Sequence, residues 1–135
     1  MTSDKELMKK IRDSAVRVFA FLGTGHQESV YHRAMEIELR NRGIRYSSEA
    51  NVNILYEGLF VGHGRTDLLV DDRIIVELKA ITSLGIGERI QLSKYMELLK
   101  INKGILINFP QSSRTTPAIE KVEIEILDKE EDNEI

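Results

Sequence analysis

Asp67, the string Glu77-Leu78-Lys79 and, far upstream, Glu28 within Gly25-His26-Gln27-Glu28-Ser29-Val30-Tyr31 supply three carboxylates and a lysine. Those are the groups a divalent-metal phosphodiesterase needs. Glu77 and Lys79 lie inside Ile74-Ile75-Val76-Glu77-Leu78-Lys79-Ala80-Ile81, a run otherwise apolar enough to be a buried strand. Residues two apart in a strand project to the same face, so the pair points together. Burying both without partners is costly, and a core strand that keeps them is read as keeping them for chemistry. Carboxylates that converge on one point raise each other's pKa unless a cation sits among them. Mg²⁺ or Mn²⁺ suits such hard oxygens, retains several waters and binds phosphate. It can lower the pKa of a bound water and stabilise charge on a scissile phosphate. Lys79 would then orient the attacking water or offset the developing negative charge.

Each residue also has a plainer reading. Glu28 heads the apolar stripe Tyr31, Met35 and Leu39 of a helix, where a solvated first-turn acid would serve the helix dipole equally well. Asp67, at a strand start, could simply bond a turn amide. Its geometry relative to Glu77 is the sharper test. A two-residue turn at Asp71-Asp72 sets Asp67 opposite Val76, on the wrong face. A three-residue loop Asp71-Asp72-Arg73 pairs Val70 with Ile74 and sets Asp67 opposite Glu77, with Asp72 able to supply the left-handed residue. The expectation is therefore an odd-length connection or a bulge. Gln91 and Tyr95 are four apart, hence on one face of a helix, and taken alone read as a surface amide and a core tyrosine. His63, between two glycines near Asp67, reads as a turn histidine before a substrate contact.

The elements that must position these residues follow from periodicity. Leu7, Ile11, Ala15, Val18, Phe19 and Leu22 predict a first helix from about Asp4 to Leu22, stopped by Gly23. Thr24 to Gln27 fits a capping box opening a second helix that runs to about Asn41. Strands are expected over 51–56, 59–70 with a bend or bulge at Gly62-His63-Gly64, and 74–81. A third helix over 88–101, a buried strand over 104–109, a polar loop over 111–117 and a strand over 122–127 complete the order. That order implies an α/β fold with a mixed sheet, the 74–81 and 104–109 strands being parallel across the helical crossover.

Length suits one domain over 1–127, followed by an acidic tail, 128–135, expected to be disordered. The chain has no cysteine, which excludes disulfides, thiolate zinc sites and cysteine nucleophiles, and its three histidines show no zinc-binding spacing. No signal-peptide stretch or membrane-length run is evident, so a cytoplasmic protein is expected. Of the net charge of -3, the tail accounts for -4, with five acids against Lys129, leaving the body near +1. No strongly basic footprint for nucleic acid results.

The ordered set of motifs resembles the GxxExxY family of the PD-(D/E)XK nuclease superfamily. Gly25, Glu28 and Tyr31 meet the naming motif; Asp67-Leu68-Leu69-Val70, Val76-Glu77-Leu78-Lys79-Ala80, Gln91 with Tyr95, and Leu106-Ile107-Asn108-Phe109 follow downstream, to about Val122. The resemblance implies a restriction-endonuclease-like core, a central mixed β-sheet flanked by α-helices. It implies Mg²⁺ or Mn²⁺ held by Asp67, Glu77 and the backbone carbonyl of Leu78, with Lys79 catalytic and Glu28 completing the site. Gln91 and Tyr95 look like a Gln-x-x-x-Tyr element that contacts substrate. The implied activity is hydrolysis of phosphodiester bonds, with DNA the expected partner, no membrane, and a homodimer compatible with a small standalone nuclease. Two other readings stand beside it: a non-catalytic nucleic-acid- or protein-binding module that keeps the fold, and a dimeric, structure-selective endonuclease of junction-resolvase type.

Overall fold

A stripe of apolar residues at helical spacing buries one side of the first helix. In the computed structural model, which describes residues 2–111 and 116–126, α1 spans Asp4–Leu22 and buries Leu7, Met8, Ile11, Ala15, Val18 and Phe19. Ser3 caps it, its Oγ accepting the Glu6 N–H at 3.1 Å, and Gly23, at φ +68°, ends it by donating to the Phe19 carbonyl.

Helix α2 spans Glu28–Asn41 and buries Tyr31, Met35 and Leu39. It does not begin with the expected capping box: Gln27 is the N-cap and makes no side-chain cap bond. The reason is non-local. Tyr31 Oη donates to the Gly23 carbonyl at 2.6 Å, and its ring stacks on Phe109 with centroids 4.4 Å apart. The aromatic anchor holds the linker, Gly25 takes φ +98°, and Glu28 becomes the first residue of the helix.

Strands β1 (Tyr46–Tyr56) and β2 (Leu59–Val70) form a long hairpin. Its turn residues Glu57 and Gly58 both have positive φ, as a two-residue hairpin turn requires. β1 begins five residues before the expected 51–56, whereas β2 has the expected span and runs unbroken through Gly62-His63-Gly64. Ile54 faces Gly62 while Leu55 faces Phe60, so Val61 is the extra residue of a bulge just before the glycines. Gly64 has a different duty: a Cβ there would overlap the Tyr95 hydroxyl and ring.

The rest is β3 (Ile74–Lys79), α3 (Ile86–Leu99), β4 (Lys103–Asn108) and β5 (Ala118–Glu123). The sheet has the order β1-β2-β3-β4-β5. Only β3 and β4 are parallel, as the helical crossover between them demands; the other pairs are antiparallel. The last strand lies earlier than the expected 122–127, because Ile119 and Val122 are the residues that meet β4. The 112–115 part of the expected polar loop, Leu127 and the acidic tail fall outside the described residues.

Side-chain alternation divides β3 between two layers. Ile74, Val76 and Leu78 join Ile105, Ile107, Phe109 and the buried faces of α1 and α2. Ile75 joins Leu106 and the α3 residues Leu92 and Met96. The second layer is thin, and Gly104 admits it: a Cβ there would meet Met96 Sδ at 2.7 Å. Glu77 and Lys79 share the phase of Ile75.

Candidate active site

The turn that sets the register has three residues. Val70 pairs with Ile74, Leu69 with Ile75 and Leu68 with Val76, which sets Asp67 across from Glu77. Asp71 and Asp72 both have positive φ, a conformation that Asp tolerates better than most residues. Arg45 holds them from outside through its contacts to both carboxylates.

At Asp67 the main-chain ladder ends on the β3 side and is interrupted on the β1 side. On the β3 side it ends at Leu68–Val76. On the β1 side the pairs Ser48–Leu68 and Ala50–Thr66 flank a gap at Glu49, whose φ is +54°. Strained backbone of this kind is characteristic of functional sites. Two carboxylates fill the β3 gap reciprocally. The Asp67 N–H donates to Glu77 Oε1 at 3.1 Å, and the Leu78 N–H donates to Asp67 Oδ2 at 2.7 Å.

Burial and the Asp67 carboxylate push the Glu77 carboxyl up to about 8, against the relief offered by the Asp67 N–H and Lys79. Glu77 is only 4% exposed. Burial raises Glu28 as well, followed by the field of Asp67, while Lys79 and His32 pull it down. Glu28, Asp67, Glu77 and Lys79 thus feel one another although they come from α2, β2 and β3. Residues separated by up to 51 positions share one electrostatic neighbourhood.

Glu28 and Asp67 open into a polar cleft of about 480 Å³ between α2 and the β1–β2 hairpin, lined also by His32, Arg33, Ser48 and Arg65. A hollow of about 530 Å³ lies beside Lys103 and the start of α1, at the other end of the strands from the Lys79–Asn108 pair. The raised carboxyl of Glu28 in its lining, and the Asp67 that bonds the strand of Glu77, mark the smaller one as the site.

Lys79 ends β3, half-buried. Its carbonyl accepts the Phe109 N–H at 2.8 Å. Asn108, across from it on β4, is 1% exposed and closes a two-way amide clamp on Ile81, accepting its N–H and donating to its carbonyl, each at 2.9 Å. That clamp fixes the chain just beyond Lys79.

Sequence reasoning gave no role to His32, Arg33 or Arg65. His32 Nε2 lies 2.8 Å from Ser48 Oγ and 3.6 Å from Glu36. The four-residue spacing of Glu28, His32 and Glu36 along α2 was the available signal; for Arg65, two residues before Asp67, alternation along a strand was the only one. Gln91 and Tyr95 do not line the cleft. Gln91 is exposed on α3; Tyr95 packs in the thin layer with its hydroxyl against Gly64, three residues before Asp67. His63 stands on the hairpin, stacked on Phe60.

No group of three His, Asp or Glu side chains among the described residues encloses a metal ion unaided. Mg²⁺, however, is commonly held by one or two carboxylates with its remaining positions filled by water and phosphate. The donor set fits that demand. Asp67 and Glu77 present hard carboxylate oxygens on facing strands, and their mutual repulsion is the strain a cation would relieve.

A family model described as the PD-(D/E)XK nuclease superfamily matches residues 5–122. Among solved structures the chain is similar to SSO0001, at 25% sequence identity and a TM-score of 0.58, over 75% of this chain and 51% of that one. It thus spans about half the length of that relative. Looser likenesses, without bearing on activity, are to a phage-related exonuclease from Haemophilus somnus 129PT (12% identity, TM-score 0.48, 91% of this chain and 74% of that one) and to the alkaline exonuclease LHK-Exo from Laribacter hongkongensis (12% identity, TM-score 0.40, 88% and 80%). No curated protein sequence matches the chain.

Proposed function

Because the chain belongs to the PD-(D/E)XK nuclease superfamily, we propose that it is a divalent-metal-dependent nuclease that hydrolyses phosphodiester bonds, with DNA as substrate. The observation that carries this reading is the reciprocal carboxylate pair: Asp67 and Glu77 bond each other's strands where the ladder opens, within the field of Glu28 and Lys79. Its five-stranded mixed sheet between helices is consistent with a restriction-endonuclease-like core. Within the superfamily, Gly25, Glu28 and Tyr31 support the GxxExxY grouping. The reading carries with it a cytoplasmic location; no helix among the described residues is long and apolar enough to cross a membrane.

Asp67, Glu77 and the Leu78 carbonyl would hold Mg²⁺ or Mn²⁺, with Glu28 completing the set. When bound, such an ion activates water and stabilises negative charge on the phosphate. The chain's own contributions are positional. Asp67 and Glu77 are held by main-chain N–H groups rather than by mobile side chains, so they are oriented before substrate arrives. Lys79, two residues before the chain that the Asn108 clamp holds, would supply a cation beside the scissile phosphate and orient the attacking water. Gln91 and Tyr95 lie outside the cleft, so their role as substrate contacts from α3 requires nucleic acid that extends beyond it.

The test is cleavage of single-stranded, duplex and branched DNA with Mg²⁺ or Mn²⁺, with Asp67→Asn and Lys79→Ala run alongside. Cutting by the wild type and neither variant supports the reading; equal cutting by all three, or none by the wild type with any metal, overturns it. The charge of the body, near +1 once the acidic tail is set aside, favours one competing reading, a non-catalytic binding module. In that case a surface variant would abolish the biological role and Lys79→Ala would spare it.

A further inference from the structure

The β1–β2 hairpin extends well past the body of the sheet. Strand β2 pairs with β3 only through Leu68, Leu69 and Val70, so from Leu59 to Asp67 its neighbour is β1 alone. α3 covers this ribbon as far as Gly64, where Tyr95 rests. Beyond it the tip carries Ile54, Leu55, Tyr56, Leu59, Phe60 and Val61, each between 38% and 71% exposed. Consecutive strand residues point to opposite faces, so both faces of the tip are apolar. A two-stranded ribbon is marginal in water by itself, and one that shows apolar surface on both faces calls for a partner.

We propose that this hairpin is a self-association arm, and that its occupant is a second copy of this chain, docked along the free edge of β1 and over the apolar tip. Three observations choose that occupant. First, β1 is an edge strand, with β2 its sole neighbour among the described residues. It lacks two of the usual guards against edge pairing: Tyr46 to Tyr56 contains no Lys and no Pro, and Glu49 is its one charge. An edge pairing antiparallel with itself closes a two-fold dimer with no surface left over. Second, no Lys or Arg occurs from Tyr46 through Gly64, so phosphate-rich partners, nucleic acid or anionic lipid, meet no counter-charge on the arm. Third, the six exposed side chains amount to several hundred Å², comparable with one partner's share, about 800 Å², of a standard interface.

The inference stands apart from the nuclease reading, because its readout is mass rather than cleavage. Sedimentation of the full chain from micromolar to hundreds of micromolar should give twice the chain mass at the upper end, with a melting temperature that rises with concentration. The double variant Leu59→Gln with Phe60→Gln should weaken the dimer at least tenfold and remove the concentration dependence. Its circular dichroism should be unchanged, since neither residue belongs to an apolar core layer. Phe21→Gln, which alters an 89% exposed residue on α1, should remain dimeric. A wild type that is monomeric throughout, a tip variant as dimeric as the wild type, or a Phe21 variant that dissociates would each overturn the proposal. So would a monomer whose tip variant loses affinity for single-stranded DNA, because the arm would then be a substrate contact.

Discussion

The two ends of β2 lead different lives. From Leu68 to Val70 the strand lies between β1 and β3, with Leu68 and Val70 fully buried. From Leu59 to Val61 it has one neighbour and faces solvent. Asp67 sits at the changeover. Between two neighbours a strand's main-chain N–H groups face adjoining strands on both sides, and on the arm those that point away from β1 face solvent. Only where a strand passes from two neighbours to one are inward-pointing N–H groups left for side chains to satisfy. Asp67 and Glu77 meet that need and are oriented by it. A site of this kind depends on the end of a ladder as much as on its acids.

Removing Asp67 should break the contrast most severely. Asp67→Ala takes away the candidate ligand and leaves the Leu78 N–H without its acceptor. Cleavage should fall on the order of 10³-fold or more, with a stability loss of about 1–3 kcal/mol. Asp67→Asn keeps an acceptor; it should lose cleavage equally while losing less stability. Paired activity and urea-denaturation measurements separate the two effects.

The buried acid predicts a pH dependence. Glu77 in the folded, metal-free protein is raised by burial and by Asp67 to about 8, above its value in the unfolded chain. A folded state that binds the proton more tightly is most stable where the group is protonated. The contribution is present in full below pH about 4.5 and is lost as pH rises toward about 8. Unfolding with chelator present should therefore show stability declining across that window, by an amount on the order of a few kcal/mol. Glu77→Gln should flatten the slope, and millimolar Mg²⁺ should restore stability at the alkaline end. A metal-free protein equally stable at pH 5 and pH 8 would contradict the assignment of Glu77 as the strained acid.

Asn108→Ala opens the clamp beyond Lys79 and leaves the half-buried Ile81 N–H without its acceptor, while the Ile81 carbonyl keeps the Gln111 N–H at 3.3 Å. A loss of about 2 kcal/mol is expected, with cleavage falling less than in Lys79→Ala. Tyr31→Phe is the mildest. Losing the bond to the Gly23 carbonyl should cost about 1 kcal/mol, with a several-fold drop in cleavage as Glu28 loses its fixed helix start. If Tyr31→Phe abolished cleavage as completely as Asp67→Ala, the tyrosine would be part of the chemistry and not of its support.

Much of this arrangement is legible from residue order. α1 follows from its apolar stripe, and the parallel β3–β4 pair from the helix between them. The three-residue turn follows from requiring Asp67 and Glu77 to share a face. Other features escaped because distant residues set them. The start of α2 was misplaced by the local Thr24–Gln27 pattern, which yields to Tyr31 stacking on Phe109, 78 positions away. The bulge at Val61 was displaced to the glycines, whose real constraint at Gly64 is the Tyr95 hydroxyl. β5 was placed too late because Ile124 and Ile126 extend the same apolar alternation past the residues that pair with β4.

By itself the sequence determined which residues could share a face, since the periods of helix and strand are local and set by backbone geometry. That is enough to align Glu77 with Lys79 and to pair them with Asp67 once the turn has an odd length. Where the ladder ends, which N–H groups the carboxylates accept, and how Glu28 reaches their field from α2 are set by the packed fold. Those outcomes depend on burial and on charges brought close through space, and neither is a function of distance along the chain.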